Sequence, residues 1–307
     1  MKSTHKKSER WHILGAGSIG LLWGVHLSLK DTSVRFIVRT PQRLAEFSKP
    51  LAISGKTAPV TLQLSAELAN EDMSISRLLV TTKSYDCLDA VKSISHRLTE
   101  DCVIVLMQNG LGQHQQVSKL LPGHTVYAAT TTEGAYRQAA TQLTHAGSGE
   151  SWIGPINSNA RLRGKDDLNS LFELPLKAAY DQDINQWLWQ KLAINAAING
   201  LTAKHGCCNG ELASNPLYFR EMEQLCREVE KVTQTSGQLL FAQPLIEHAQ
   251  KIAEATSTNY SSMLQDVRNG RRTEIDFING FICRQAAQQG IDVPYNQALV
   301  DTVLALR

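Results

Sequence analysis

A lysine and two asparagines recur at four-residue intervals near the middle of the chain, within Trp187–Asn199. At helical spacing Lys191, Asn195 and Asn199 lie on one face, and the positions around them are almost entirely apolar. We expect such a helix to be buried, with these three residues as its one polar stripe. An ammonium group beside two amides can donate a proton and bind a polar ligand. The alternative is a lysine with a buried stem and a solvated head group.

A glycine-rich turn follows the first apolar segment, which is predicted to be a strand at residues 11–16, and a helix is expected at 21–29. The turn consists of Gly15, Ala16, Gly17, Ser18, Ile19 and Gly20. In this context a G-x-G-x-x-G pattern predicts a dinucleotide site, because its glycines allow a tight turn, close approach of a pyrophosphate and close helix packing. Amide groups of the first helical turn would bind the diphosphate. A glycine turn without a ligand is the alternative.

Arg39 follows the second predicted strand, at residues 34–38, where an NAD-binding fold places an acid on the ribose 2′-hydroxyl. There is no acid between Asp31 and Glu46. A guanidinium suits a 2′-phosphate, so the sequence favours NADP over NAD. A solvated surface arginine is the alternative.

Lys83 and Asn109 come just after two further predicted strands, residues 77–82 and 102–107. Ligands of open α/β sheets bind beyond the carboxyl ends of strands, so both residues are expected near the cofactor. A surface charge and a turn residue are the alternatives. A predicted helix after Lys83 continues the alternation of strand and helix, which favours a mainly parallel sheet. Short strands within residues 125–154 are expected at its far edge.

The strand patterns stop near residue 180, and only helical patterns follow. Helical patterns are predicted at 183–199, 210–241, 244–256, 262–269, 274–289 and 294–306, with Asn209 as a cap and another helix starting at Asn215–Pro216. The sequence therefore predicts an α/β protein with an N-terminal Rossmann-type dinucleotide-binding domain at residues 1–180. A polar extension occupies residues 1–10, and an all-helical substrate domain follows at 181–307.

The 307 residues include 31 Lys and Arg against 29 Asp and Glu, a formal net charge of +2. No basic patch stands out after residue 10, so no nucleic-acid partner is expected. The N-terminus lacks the apolar segment of a signal peptide, and no apolar run reaches the roughly 18 residues of a membrane span. We therefore expect a cytoplasmic protein with no membrane partner. The six cysteines lack metal-ligand spacing, and no metal is expected.

Taken together, these residues resemble the ketopantoate reductase (2-dehydropantoate 2-reductase) family, of the 6-phosphogluconate-dehydrogenase-like group. The resemblance runs in order from residue 11 to the C-terminus. Besides the glycine turn, it rests on Thr81–Lys83, Gln108–Gly112, Trp189–Asn199, Asn209–Leu212, Ser261–Asp266 and Thr273–Gly280. The polar extension lies outside it.

The resemblance implies a role for each matching residue. Lys191 would be the general acid, and Glu274 a catalytic carboxylate at the junction of cofactor and substrate. Cofactor contacts, besides the glycine turn and Arg39, would be Lys83, Asn109, Ala135 and Glu274. Substrate contacts would be Asn109, Lys191, Asn195, Asn199, Asn209, Asn259 and Ser262. Burial would lower the pKa of Lys191 and Glu274 would raise it, so the sequence leaves the direction of the shift open.

The family implies NADPH-dependent reduction of 2-dehydropantoate to (R)-pantoate, on the route to pantothenate and coenzyme A. Reduction of a ketone by hydride needs a proton donor at the developing alkoxide, which suits Lys191. One alternative is a reductase of the same build that acts on another small 2-keto acid. A second is a regulatory protein that senses NADP without turnover, against which the intact polar residues argue. Monomer and homodimer are both open.

Overall fold

The computed structural model describes residues 10–235, 237 and 239–306, so most of the predicted polar extension lies outside the described residues. The chain divides into two compact units. The first contains the residues up to Gln108 together with Gln113–Ile184. The second contains Asn109–Gly112 together with the residues from Asn185 onwards.

The first unit combines strands with short helices. Its strands are β1 Arg10–Leu14, β2 Ser33–Val38, β3 Leu51–Gly55, β4 Val60–Leu62, β5 Ser65–Leu68, β6 Ile75–Val80, β7 Leu98–Leu106, β8 Thr125–Thr131, β9 Gly134–Ala139, β10 Gln142–Gly147, β11 Ser151–Pro155 and β12 Ala178–Tyr180. Its helices are α1 Ser18–Leu29, α2 Pro41–Glu46, α3 Ser84–Ile94, α4 Gln113–Leu120, α5 Ser158–Arg163 and α6 Asn169–Phe172. Two 3₁₀ turns lie at Ser95–Arg97 and Asp166–Leu168.

Eight strands form the main sheet, in the order β12-β11-β8-β7-β6-β1-β2-β5. Neighbouring strands are parallel except β8 and β11, which confirms the expected mainly parallel sheet. One apolar cluster includes α1 and another includes α3 and α4, as expected for parallel strands that are buried by helices. Because β2 and β6 flank β1, the direction of strand order reverses there. This reversal is a topological switch point, where dinucleotide folds bind their ligand.

Four strands form a second, smaller sheet, in the order β4-β3-β10-β9. β10 pairs in parallel with β3, with Gln142 opposite Ala52, and antiparallel with β9. The expectation that residues 125–154 form the far edge of the main sheet is therefore partly wrong. β8 and β11 do lie in the main sheet, but β10 lies in the small one and β12 is the outermost strand. The reason is a pairing between distant segments, which no local pattern predicts.

A chain of buried hydrogen bonds ties the small sheet to α1. His145 Nε2 lies 2.7 Å from Glu133 Oε2, His145 Nδ1 lies 2.8 Å from Thr57 Oγ1, and that oxygen lies 3.0 Å from His26 Nε2. A carboxylate oxygen accepts, so His145 Nε2 donates to Glu133, and in a neutral ring Nδ1 then accepts from the Thr57 hydroxyl. The Thr57 oxygen then accepts from His26 on α1. Burial lowers the pKa of His26, which favours the neutral ring, and the tautomer with its proton on Nε2 makes this bond.

The second unit is helical. Its helices are α7 Ile184–His205, which begins in the first unit, α8 Asn209–Ser214, α9 Pro216–Thr235, α10 Leu245–Ala255, α11 Ser262–Arg268, α12 Asn279–Gln289 and α13 Pro294–Ala305. The predicted start of a second helix at Asn215–Pro216 is confirmed, since α9 begins at Pro216 and Asn215 Oδ1 accepts from the Leu217 amide at 2.9 Å. A 3₁₀ turn, Ile275–Phe277, precedes α12. Within the described residues, no helix is long and apolar enough to cross a membrane.

A buried group of charged side chains surrounds His12 on β1. Glu67 of β5 pairs with Arg97 and, at 3.3 Å, with Arg35, while His12 Nε2 lies 3.8 Å from Glu67 Oε1. Neither ring nitrogen of His12 has a hydrogen-bond partner in the part of the chain described. Burial lowers the pKa of His12 to about 4, against the opposing attraction of Glu67.

We expect His12→Phe to remove part of the acid sensitivity of folding. The unfolded chain protonates this imidazole below its ordinary pKa of 6.5, whereas the folded protein keeps it neutral down to about 4, so His12 reduces stability as the pH falls through that window. The reduction is on the order of 3 kcal/mol. Urea unfolding at a series of pH values would measure it. Parallel pH dependences for wild type and variant would contradict the prediction.

Candidate functional site

Gly15 begins the glycine turn at the carboxyl end of β1. Its φ is +104°, and a Cβ there would come within 2.9 Å of the Thr82 amide nitrogen, so both features favour glycine. The Gly15 amide donates to the Ile37 carbonyl at 3.2 Å, and the Thr81 amide donates to the Leu14 carbonyl at 2.9 Å. The turn is thereby held between the ends of β2 and β6.

The other two glycines of the turn differ in how much space surrounds them. A Cβ on Gly20 would collide with the Thr81 hydroxyl and the Gly15 carbonyl, so close packing of α1 requires this glycine. Gly17 is exposed at the N-cap of α1, and a Cβ there would lie 4.0 Å from its nearest neighbour, the Thr81 carbonyl oxygen. None of the described protein atoms therefore requires glycine at position 17. Open backbone at the start of a twelve-residue helix fits the diphosphate of a dinucleotide.

Two arginines lie beyond the end of β2. Arg39 is 85% exposed and lies 3.7 Å from Asp86. Arg43, which we did not predict, reaches the glycine turn itself, because its Nη2 donates to the Ala16 carbonyl at 2.6 Å. It also pairs with Glu46, and burial together with nearby Arg137 lowers its pKa to about 10. The sequence signal for this contact was the position of Arg43, two residues after Pro41 and close to the end of the second predicted strand.

Lys83 and Ala135, the remaining cofactor residues predicted in the first unit, lie on different elements. Lys83 is the N-cap of α3, just beyond β6, and is half-buried. Ala135 lies on β9 and packs against the apolar cluster that includes α1. The structure therefore places Lys83 at the switch point and Ala135 on the small sheet.

The polar stripe of α7 is present as predicted. Lys191, Asn195 and Asn199 are each partly exposed, whereas most of the helix around them is buried. Burial lowers the pKa of Lys191 to about 8, although Glu274 raises it. Loss of hydration is therefore the larger of the two effects that the sequence left open.

Glu274 is a buried carboxylate at the N-cap of the 3₁₀ turn before α12. Asn109 Nδ2 donates to its Oε2 at 3.4 Å, and the Leu111 amide donates to the Phe277 carbonyl at 2.9 Å. The bend in this segment comes at Gly110, which has a φ of +76°. The structure thus brings together three predicted residues, Lys191, Glu274 and Asn109.

The expectation that Asn209 caps a helix is wrong. Cys208 is the N-cap of α8, and its amide donates to Glu211 Oε1 at 3.1 Å. Asn209 is the first helical residue, and its Nδ2 donates to Thr256 Oγ1 at 2.9 Å. The Asn209 amide also donates to the Asn259 carbonyl at 2.9 Å, which brings these two predicted substrate residues together.

Ser262 is exposed at the first position of α11, directly after the N-cap residue Ser261. Ser261 Oγ accepts from the Leu264 amide at 3.1 Å. The same oxygen lies 2.7 Å from Thr202 Oγ1 and 3.5 Å from the Asn199 carbonyl oxygen. The start of α11 is therefore held against α7 beside the polar stripe.

A buried amide network fixes the other side of α7. Asn279 Nδ2 donates to the Ala196 carbonyl and to Asn296 Oδ1, both at 2.9 Å. Asn296 in turn donates from its backbone and side-chain nitrogens to Glu228 Oε2, both at 2.8 Å. The network links α7, α9, α12 and α13 within one residue of Asn195.

These features define a class of protein. A parallel sheet with a glycine turn at its switch point, and a helical unit with a lysine near a carboxylate, are the parts of a dinucleotide-dependent oxidoreductase. Among the described residues, no group of three or more His, Cys, Asp or Glu side chains is placed to hold a metal ion.

Residues 11–158 match the family model described as Ketopantoate reductase PanE/ApbA, and residues 183–307 match its C-terminal model. The chain belongs to the ketopantoate reductase family. This membership confirms the expected fold and the expected enzyme class, an NADP-dependent oxidoreductase.

Known relatives agree with this assignment. The chain is 35% identical over 297 residues to a 2-dehydropantoate 2-reductase of Escherichia coli O157:H7, covering 95% of this chain and 93% of the relative. A crystal structure of a probable 2-dehydropantoate 2-reductase from Bacillus subtilis is 28% identical, with a TM-score of 0.81 and coverage of 97% and 100%. A D-mandelate dehydrogenase in complex with NADH and anilino(oxo)acetate shares the fold, with a TM-score of 0.90 at 24% identity and coverage of 97% and 98%.

Gly17, the N-cap of α1, and Gly20, in its first turn, make a matched pair for a stability test. Gly20→Ala is expected to lower the free energy of unfolding by about 2 kcal/mol or more, because its methyl group has no room beside Thr81. Gly17→Ala is expected to cost less than about 1 kcal/mol, the value of a weaker N-cap. Urea unfolding would measure both, and similar losses in the two variants would contradict the prediction.

Proposed function

We propose that this protein catalyses the NADPH-dependent reduction of 2-dehydropantoate to (R)-pantoate. The observation that carries the proposal is Lys191, an ammonium group on the polar stripe of a buried helix, with its pKa lowered to about 8 beside Glu274. The names of the curated relatives support the choice of substrate. The glycine turn supports the choice of a dinucleotide.

Lys191 is the proposed proton donor. NADPH, when bound, supplies the hydride that converts the C2 ketone to an alcohol. The Lys191 ammonium group donates to the ketone oxygen, stabilises the negative charge that develops there and then transfers a proton to it. A donor with a pKa of about 8 suits this task, because it is mostly charged at neutral pH and still acidic enough to release its proton.

The first unit is proposed to bind the cofactor. The six residues of the glycine turn would hold the diphosphate, with the α1 amides as donors and Gly17 leaving room for close approach. Arg39 would bind the 2′-phosphate, which its exposure and its long, 3.7 Å ion pair with Asp86 permit. Lys83 and Ala135 are the remaining proposed cofactor contacts of the first unit, and Asn109 and Glu274 are those of the second unit.

The second unit is proposed to bind the keto acid. Asn195 and Asn199, on the stripe with Lys191, supply neutral donors and acceptors for its oxygens. Ser262, at the start of α11, would hydrogen-bond the carboxylate. Asn109, Asn209 and Asn259 complete the proposed set.

The proposal is tested by following NADPH oxidation with purified protein and a panel of 2-keto acids, including 2-dehydropantoate and a phenyl-substituted member. We expect the highest kcat/KM for 2-dehydropantoate, and a strong preference for NADPH over NADH. Gly17→Ala should fold but bind NADPH more weakly. Higher activity on another 2-keto acid would overturn the choice of substrate, and equal use of NADH would overturn the role of Arg39.

Replacing Lys191 should impair the chemical step. Lys191→Ala is expected to lower kcat by about 10²–10⁴-fold, the usual range for loss of a general acid. NADPH affinity, measured by fluorescence, should change little, because the glycine turn and Arg39 are proposed to supply most of it. Lys204→Ala is a matched control on the same helix, since Lys204 pairs at 2.7 Å with Glu221. A variant of Lys191 with near-normal kcat would remove the residue from the mechanism.

The pH profile tests the electrostatic role of Glu274. The wild-type kcat/KM should fall as the pH rises through about 8, because the donor must be protonated. Glu274 raises the pKa of Lys191, so Glu274→Gln should move this alkaline limb to lower pH. Steady-state rates from pH 6 to 10, roughly two units either side of that pKa, would show the shift. An unmoved limb would mean that the two groups are not coupled in the working enzyme.

A further inference from the structure

Hydrogen bonds hold both the backbone and the side chain of Asn209. It is only 9% exposed, its backbone amide donates to the Asn259 carbonyl, and its Nδ2 donates to Thr256 Oγ1. Both hydrogen bonds go to one short connection, residues 256–259, and they leave the Asn209 side chain little conformational freedom. A polar group fixed in this way is pre-organised for a ligand, because it loses little conformational entropy on binding.

Thr256 also decides which end of the Asn209 amide faces it. The threonine hydroxyl has one hydrogen, and it is directed to the Ile252 carbonyl oxygen at 2.6 Å. Its oxygen can then only accept, so the amide must present Nδ2 to it. The opposite end, Asn209 Oδ1, is turned away from Thr256.

Asn209 Oδ1 is a buried acceptor with no hydrogen-bond partner among the residues that the structure describes. Buried acceptors are normally satisfied, because leaving one unpaired is costly. In a 2-keto acid the ionised carboxylate and the ketone oxygen are both acceptors, so neither can satisfy it. A hydroxyl group elsewhere on the substrate can.

We propose that Thr256 is a specificity-determining positioning residue, which orients Asn209 so that Oδ1 accepts a hydrogen bond from a hydroxyl group of the substrate. The site then selects 2-keto acids that carry such a hydroxyl over those that lack it. The inference rests on the proposed function and deepens it, because 2-dehydropantoate carries a hydroxyl at C4. Thr256 itself need not touch the substrate.

The test compares two substrates that differ only in that hydroxyl. They are 2-dehydropantoate and 3,3-dimethyl-2-oxobutanoate, which has the same carbon skeleton. Thr256→Val removes the acceptor for Asn209 Nδ2 and keeps the shape of the side chain, whereas Thr256→Ser keeps the hydroxyl. Thr302→Val is a matched control, because the Thr302 hydroxyl also donates to the carbonyl four residues back, at 2.7 Å, on the half-exposed face of α13.

We expect Thr256→Val to lower kcat/KM for 2-dehydropantoate by about tenfold or more, with less than about twofold change for the analogue. The preference for the hydroxylated substrate therefore falls, Thr256→Ser restores it, and Thr302→Val leaves it unchanged. A purely structural role would lower kcat/KM for both substrates by the same factor. That result, or no loss with 2-dehydropantoate, would overturn the inference.

Ligand-binding measurements distinguish a failure of this inference from a failure of the proposed function. Calorimetry with the NADP-loaded protein would compare (R)-pantoate with 2-hydroxy-3,3-dimethylbutanoate, its analogue without the C4 hydroxyl. Selective binding of pantoate that Thr256→Val reduces by about tenfold would support the inference, whether or not 2-dehydropantoate is turned over. Absence of turnover would overturn only the proposed function. Turnover of 2-dehydropantoate without any preference for the hydroxylated ligand would end only the inference.

Discussion

The chemistry proposed for the helical unit depends on holding the Lys191 ammonium group where it is poorly hydrated. Burial of the apolar faces of α7 places Lys191 in a setting that favours the neutral amine, and the Glu274 carboxylate opposes this effect. The two influences balance at a pKa of about 8. Such a balance is sensitive to distance, because electrostatic interactions are strong where water is excluded. The packing around Lys191 and around Glu274 therefore has to hold the distance between the two groups constant.

Much of the remaining architecture supplies that packing. Asn279 hydrogen-bonds the α7 backbone at Ala196, and Ser261 holds α11 against the end of the same helix. Glu274 is fixed at the start of a 3₁₀ turn and accepts from Asn109. Buried amides suit this task because they satisfy several backbone groups without adding charge near the lysine.

Local patterns predicted the parts of the fold that consecutive residues encode. The glycine turn, the main strands and the polar stripe of α7 follow from spacing over a few residues, and the structure contains them. The small sheet was missed because β10 pairs with β3, and Arg43 was missed because its contact with Ala16 joins segments that are distant in sequence. Asn209 was misjudged as a cap for the same reason, since its partner, Thr256, lies on another helix end. The sign of the Lys191 pKa shift depends on how deeply the helix is buried, which no sequence pattern measures.

The small sheet has a consequence for the order in which the first unit folds. β3 is made early in synthesis, yet its parallel partner β10 follows only after β6, β7 and β8 have been completed. Until then β3 has only the short strand β4 beside it, and a two-stranded hairpin is marginally stable in water. Contacts between distant segments carry a loop-closure cost and slow folding. Docking of β10 also completes the hydrogen-bond chain to α1. We therefore expect the helix after the glycine turn to gain its last buried contacts late on a nascent chain.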